Sequence, residues 1–360
     1  MMSITRLNCV ESTVVWGLVL AAGGRAAVAD VLDGHPNAAA LKAIFSAPLP
    51  SDFKPTGTSR ADYLKLIAAN VDFFKTCQND AGAIIDPVSK GERQYSTPAF
   101  AVSAALVAKE GGRQDLLEPA KKALTASLNA LVAKKTADGH SDFYIPMLVH
   151  GYRLLKDAVP PEQADAWAAT FKKIDPEKMY NAKLRGMNWN IVSSSGEFLR
   201  AKDGLVAPAM AEKQKAYLDS CLPAHLKAMK PNGLCADPGV PMAYDAFSRL
   251  WLEDAFADNA YDGQYKERIE TFLRTGGLTS LLLLSPTGEW PTGGRSGLHN
   301  WTDVQMVAIC EINATYWQKR DRADIAGAFK RAARLAFESM ARWQRPSGEL
   351  NIIKNLRRTD

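Results

Sequence analysis

His299, Arg295 and Tyr244 are the residues whose types and surroundings best suit proton-transfer chemistry. His299 closes the stretch Ser285–Trp301, which places Gly288, Gly293, Gly294 and Gly297 with Pro286, Pro291, Trp290 and Trp301 between two helical segments. Glycine opens backbone angles closed to other residues and proline fixes its own, so this is a shaped connection and a suitable place for a site. Asn300 is the expected N-cap of a helix starting at Trp301, with Asp303 in capping-box position. A histidine just outside a helix N-terminus meets the positive end of the dipole, which disfavours imidazolium and leaves a neutral ring able to accept a proton. Arg295, flanked by Gly294 and the pair Ser296-Gly297, would fork onto a carboxylate or stabilise a nearby phenolate. Tyr244 follows Pro238, Gly239 and Pro241 and would open a helix from a stiff loop as an acid or base. Plainer roles compete with each: a loop hydrogen bond for His299, a surface ion pair for Arg295, a packed hydroxyl for Tyr244.

Further polar and aromatic clusters stand at expected helix starts. Gln94-Tyr95-Ser96-Thr97-Pro98 is one, and His140-Ser141-Asp142-Phe143-Tyr144 is another. In Asn188-Trp189-Asn190 two amides flank an indole, a layout that offers donors to a carboxylate and a ring face to a sugar, or simply caps a helix. Asp237 leads to Tyr244-Asp245, and Glu197 follows the Asn-Trp-Asn triplet. Glu289 with Glu197 or Asp237 would be the carboxyl pair of a glycoside hydrolase, although sequence fixes no separation between them. The sequence holds no phosphate-binding Gly-x-x-x-x-Gly-Lys loop, no Gly-x-Ser-x-Gly elbow and no His-Glu-x-x-His helix. Its five cysteines have no zinc-ligand spacing; Cys221 and Cys235 would pair in an exported protein or remain buried thiols.

Positioning these clusters falls to helices. A helical period recurs over 37–45, 60–76, 96–109, 116–134, 142–156, 161–173, 190–200, 209–229, 244–256, 261–284, 301–319 and 323–343. Ser59 is a suitable N-cap for the second and Pro161 a suitable opening for the sixth. Phe100–Val107 and Val304–Ile312 are apolar almost all round, as helices buried on both sides must be. No run of alternating strands is present, and no fixed period marks a regular solenoid. The fold class read from this pattern is all-α: antiparallel helix hairpins in an α/α toroid, an incomplete or closed barrel without a β-domain, chosen over an open superhelix. In a toroid the loops at one end of the inner helices ring a single cleft, where the five clusters would meet.

The bulk properties fit a globular chain of 360 residues, 47% hydrophobic and 23% charged, with a net charge of +5. No basic run marks a nucleic-acid interface, whereas a mild positive bias suits an anionic substrate. Arg6, the apolar run Val14–Ala22 and Ala27-Val28-Ala29 read as a signal peptide over residues 1–29, which makes the mature protein secreted or periplasmic with a single domain over 30–360. No apolar run of the mature chain is long enough to span a membrane.

These residues resemble a known family. Asp86-Pro87, Tyr95–Pro98, Asn188-Trp189-Asn190, Tyr244-Asp245 with Ser248-Arg249, Ser285–Glu289, Gly293–Ser296 and His299 look like those of α/α-toroid polysaccharide lyases, family 38 above all, which cleave glucuronan or alginate-type polyuronates. The resemblance covers most of the chain after Asp30 through scattered short motifs. It implies β-elimination at a uronic acid, with no required metal or other cofactor. Asn190, with Asn188, would bind the uronate carboxylate; His299 or Tyr244 would remove the C5 proton; Tyr244 would protonate the departing O4; Arg295 would stabilise the developing charge. Trp189, Tyr95, Asp142, Tyr144, Glu197, Glu289, Trp290 and Trp301 would line the sugar subsites. It also implies further helices beyond Asn355, where this sequence reaches Asp360. A hydrolase on the same scaffold and a carbohydrate-binding protein without catalysis are the competing readings.

Overall fold

The computed structural model describes residues 31–48, 58–181, 188–237 and 242–354. The expected signal peptide and the Pro238–Pro241 loop lie outside the described residues. Among those described, the protein is all-α. In chain order the helices are α1 (Ala38–Ser46), α2 (Arg60–Lys75), α3 (Ser96–Glu110), α4 (Leu117–Val132), α5 (Ser141–Leu155), α6 (Pro161–Phe171) and the single turn α7 (Pro176–Met179). There follow α8 (Asn188–Lys202), α9 (Ala211–Ala228), α10 (Met242–Ala257), α11 (Lys266–Leu283), α12 (Trp301–Gln318) and α13 (Ala323–Ala341). Extended backbone is confined, among the described residues, to isolated bridges such as Gln78–Ile84 and His299–Ile353.

Local sequence sets several boundaries. Ser59 and Asp62 form a reciprocal capping box at the start of α2, and Pro161 occupies the first turn of α6. In α3 every residue from Thr97 to Ala108 is buried, so its all-round apolar character is matched by neighbours on every side. Helix α5 carries Pro146, and Gly196 of α8 lies against it; a Cβ at Gly196 would stand 2.2 Å from Ile145 Cγ2. Glycine is therefore what lets these two helices approach so closely.

The helices alternate between two layers. Helix α3 packs on α5, α5 on α8, α8 on α10, and α10 on α12. Against this inner series lie α4 on α3 and α5, α9 on α8, α11 on α10 and α12, and α13 on α12. Helix α2 packs on α3 at one end of the series and also reaches the other end. Its Tyr63 hydroxyl donates to Glu311 Oε1 of α12 at 2.7 Å, and its ring meets Phe337 of α13 at 5.2 Å.

Several charged groups inside the inner helices are paired, which offsets the cost of burying them. Asp245 and Arg249 of α10 form a buried ion pair, with Arg249 also donating to Ser280. Glu253 is held by Arg274 and Asn313, and His150 meets Asp254 at 2.6 Å. Cys221 and Cys235 are both buried and do not pair with each other, the second of the two states expected for them. No helix among the described residues is long and apolar enough to cross a membrane.

Candidate functional site

The N-terminal ends of α3, α5, α8, α10 and α12 come together through one chain of aromatic contacts. Tyr95, the residue before α3, stacks on Phe143 of α5 at 5.0 Å, and Phe143 meets Trp189 of α8 edge-on at 4.9 Å. His140, just ahead of α5, lies 4.6 Å from the Trp189 ring. Phe143 continues to Phe247 of α10, which touches both Tyr244 and Trp301, the latter at the start of α12. Tyr244 and Trp301 meet edge-on at 5.6 Å. The first turns of five inner helices thus share one polar-rimmed aromatic floor, with their positive dipole ends directed to the same region.

The loop before α12 lays its functional groups over that floor. Arg295 Cζ lies 4.2 Å from the centroid of the Tyr244 ring. Its Nη2 donates to Asp237 Oδ2 at 2.8 Å, and the Arg295 side chain remains half exposed. The backbone N–H and side-chain amide of Asn188 both donate to Asp237 Oδ1 at 3.0 Å. Asp237 therefore sits on the N-terminus of α8 and fixes the guanidinium above the tyrosine. Ser296 is a non-glycine residue in the left-handed region, with φ of 61°, and its Oγ lies 3.4 Å from the Tyr244 hydroxyl. Such backbone costs about 1 kcal/mol, and strain of this kind gathers at functional sites.

His299 is half-buried, and burial lowers its affinity for a proton below the ordinary histidine value. Its Nδ1 accepts the indole N–H of Trp301 at 2.5 Å. Because an indole nitrogen only donates, Nδ1 is the unprotonated nitrogen and Nε2 carries the hydrogen of the neutral ring. His140 has the opposite arrangement. Its Nδ1 lies 2.9 Å from the Asp138 carbonyl, an acceptor only, so Nδ1 carries the hydrogen and Nε2 holds the lone pair. Burial lowers the proton affinity of His140 as well.

The capping expected of Asn300 and Asp303 is not what the structure shows. Asn300 is already helical, with φ of −63° and ψ of −24°, and its side chain caps nothing; its Nδ2 donates to the Met340 carbonyl. Asp303 instead accepts from the Trp290 N–H, Ser339 Oγ and Lys354 Nζ. The carbonyl of His299 takes the first bonds of α12, from the N–H and hydroxyl of Thr302.

Of the residues expected at the site, Tyr95, Asn188, Trp189, Tyr244, Arg295, His299 and Trp301 are brought together. Asn190 is buried on the first turn of α8, and its backbone carbonyl accepts from Ser193 Oγ. Four others are buried with their polar groups turned to the protein interior. Glu197 is fully buried and held by Arg200 Nη2 at 2.6 Å, Gln214 Nε2 at 2.6 Å and the Tyr180 hydroxyl at 2.5 Å. Trp290 is fully buried, donating to the Met242 carbonyl, with Arg249 over its ring. The Tyr144 hydroxyl donates to the Gln94 carbonyl at 3.2 Å. Asp142 accepts the N–H of Asn181, and burial pushes its carboxyl up to about 6. Glu289 is partly exposed, 3.7 Å from Lys354 Nζ.

Phe247 joins the site without having been named in advance, whereas His140, Phe143, Asp237 and Ser296 stood in the expected segments, Asp237 as a hydrolase carboxylate and the others without an assigned role. Their position at helix starts, beside the expected site residues, is the signal that marks them. Among the described residues no cluster of three or more His, Cys, Asp or Glu side chains could hold a metal ion. Compared with known proteins, the chain matches no family model and has no significant match among characterised sequences.

Proposed function

We propose that the chain is a polysaccharide lyase that cleaves a uronic-acid polymer of glucuronan or alginate type by β-elimination, on an α/α toroid. The observation that carries this reading is the convergence of five helix N-termini around Tyr244, Arg295 and His299. Positive dipole ends and a half-exposed guanidinium favour an anionic ligand, and a floor of aromatic rings favours sugar faces. Support for the toroid comes from the inner series α3, α5, α8, α10 and α12, with α2 touching both its ends.

In elimination a base takes the C5 proton, the electron pair forms the C4=C5 double bond, the C4–O4 bond breaks, and O4 receives a proton. Tyr244, under the Arg295 guanidinium, takes the C5 proton in this proposal. The guanidinium lies over its ring, and the exposed edge of Arg295 takes the uronate carboxylate, whose neutralisation acidifies C5. Asn188, expected there, is occupied with Asp237 and serves to orient Arg295. His299 acts as a hydrogen-bond donor through Nε2–H, since its Nδ1 already accepts the Trp301 N–H. Where the C5 hydrogen and O4 share a face of the ring, Tyr244 returns its proton to O4; where they do not, water supplies it. Against the hydrolase alternative stand the burial of Glu197 in an ion pair and the hold of Arg295 on Asp237. A binding protein would share the aromatic floor but form no product.

The test is the rise in near-ultraviolet absorbance from the C4=C5 bond while the protein acts separately on glucuronan, polymannuronate and polyguluronate. A rise on one polymer supports elimination and names the sugar. New reducing ends without that absorbance would replace the proposal with hydrolysis, and affinity without cleavage would replace it with binding.

A further inference from the structure

The loop bearing Arg295 and His299 is closed at both ends by one buried ion pair. Lys354 is 1% exposed, yet its Nζ lies 3.0 Å from Oδ2 of the fully buried Asp303. The same carboxylate accepts the N–H of Trp290 at 3.1 Å, at the start of the loop, and Ser339 Oγ of α13 at 2.8 Å. The other end of the loop is paired to the segment that carries Lys354: the Asn300 N–H donates to the Ile352 carbonyl at 2.6 Å, and the Lys354 N–H to the Leu298 carbonyl at 2.8 Å. His299 lies inside that short antiparallel bridge, opposite Ile353. Gly288, earlier in the loop, has no room for a side chain, since a Cβ there would stand 1.9 Å from the Leu335 carbonyl.

We propose that Lys354 is a positioning residue, and that residues 351–354 form a latch that holds His299 and Arg295 in register over Tyr244. A lysine so far removed from solvent must be paired, and its one strong partner bonds both to the loop start and to α13. Breaking the pair would orphan a buried charge and free both loop ends together. The proposal deepens the reading of this loop as the site, but its first test needs no activity.

Native-state hydrogen exchange on the unaltered protein reads the latch directly. The Asn300 and Lys354 amides and the Trp301 indole N–H, which bonds to His299, are expected to exchange as one unit with a common opening rate. A Trp301 indole that exchanges tenfold or more faster than the Lys354 amide would overturn the latch. Lys354→Met is expected to speed exchange of the indole by at least about tenfold while the helical circular dichroism is retained, and Lys354→Arg to restore its protection. A folded Lys354→Met with wild-type exchange also overturns the proposal; if that variant does not fold, the unaltered protein still decides. On a polymer that shows elimination, Lys354→Met should lower kcat more than it raises KM. An intact exchange unit without elimination on any uronate would keep the latch and remove the lyase reading.

Discussion

The indole N–H of Trp301 donates to Nδ1 of His299 at 2.5 Å, and this one bond decides what His299 can do. A ring whose Nδ1 is filled presents Nε2–H outward and is a hydrogen-bond donor, although the sequence alone suggests a base. Trp301→Phe removes the donor and leaves Nδ1 free to protonate. Together with the loosened packing, this should raise the titration midpoint of His299 toward the ordinary histidine value of about 6.5, as followed by NMR of the ring protons. An unchanged midpoint would mean that the bond does not set the tautomer.

Tyr244→Phe keeps the ring under Arg295 and the contacts to Phe247 and Trp301 but deletes the hydroxyl. Elimination should fall by about a hundredfold or more, with melting temperature little changed. Near-normal turnover in this variant would remove Tyr244 from the chemistry.

Arg295→Lys retains charge and loses the fork that spans Asp237 and a ligand carboxylate. Asp237→Asn keeps an acceptor for Asn188 but releases the guanidinium. Both should weaken binding of a uronate oligomer in calorimetry by about tenfold or more, and a neutral oligomer should show no such difference. Equal losses for charged and neutral oligomers would show that Arg295 only packs on the aromatic floor.

Much of the helix pattern was legible because burial on all sides and amphipathic periods are local properties. The expected 116–134 helix differs from Leu117–Val132 by one residue at its start and two at its end, and Ser59 caps α2 as read. The site was legible as segments, because polar and aromatic residues at helix starts become neighbours when inner helices run the same way. What sequence hid was burial. Glu197, Trp290 and Tyr144 have polar groups that suit a sugar, but their partners Gln214, Met242 and Gln94 lie well away in the chain. The capping box at Asp303 failed for the same reason: Lys354 and Ser339 compete for its carboxylate from distant positions.

Asp142 gives a prediction with a definite sign. Burial raises its folded value from 3.8 to about 6, so the folded state binds the proton more tightly than the unfolded state. Stability from this group is full below the unfolded value and declines as pH rises through the folded one. The loss at neutral pH is at most about 3 kcal/mol. Asp142→Asn keeps an acceptor for the Asn181 N–H without a charge, and should raise the melting temperature at pH 7 while leaving it nearly unchanged at about pH 4. A variant less stable at pH 7 would show that the carboxylate has a favourable partner there.

His225 tilts the pH dependence the other way. It is buried, its Nε2 has no hydrogen-bond partner, and burial lowers its folded value from 6.5 to about 4. Here the unfolded chain binds the proton more tightly, so stability is full above the unfolded value and is lost as pH falls through the interval between the two. The loss approaches about 3 kcal/mol by pH 4. His225→Gln should flatten the fall in urea midpoint between pH 6.5 and 4, and Asp142→Asn should steepen it by removing the opposing titration. If both variants kept the wild-type slope, neither buried group would govern acid sensitivity, and surface charge repulsion would take their place as its cause.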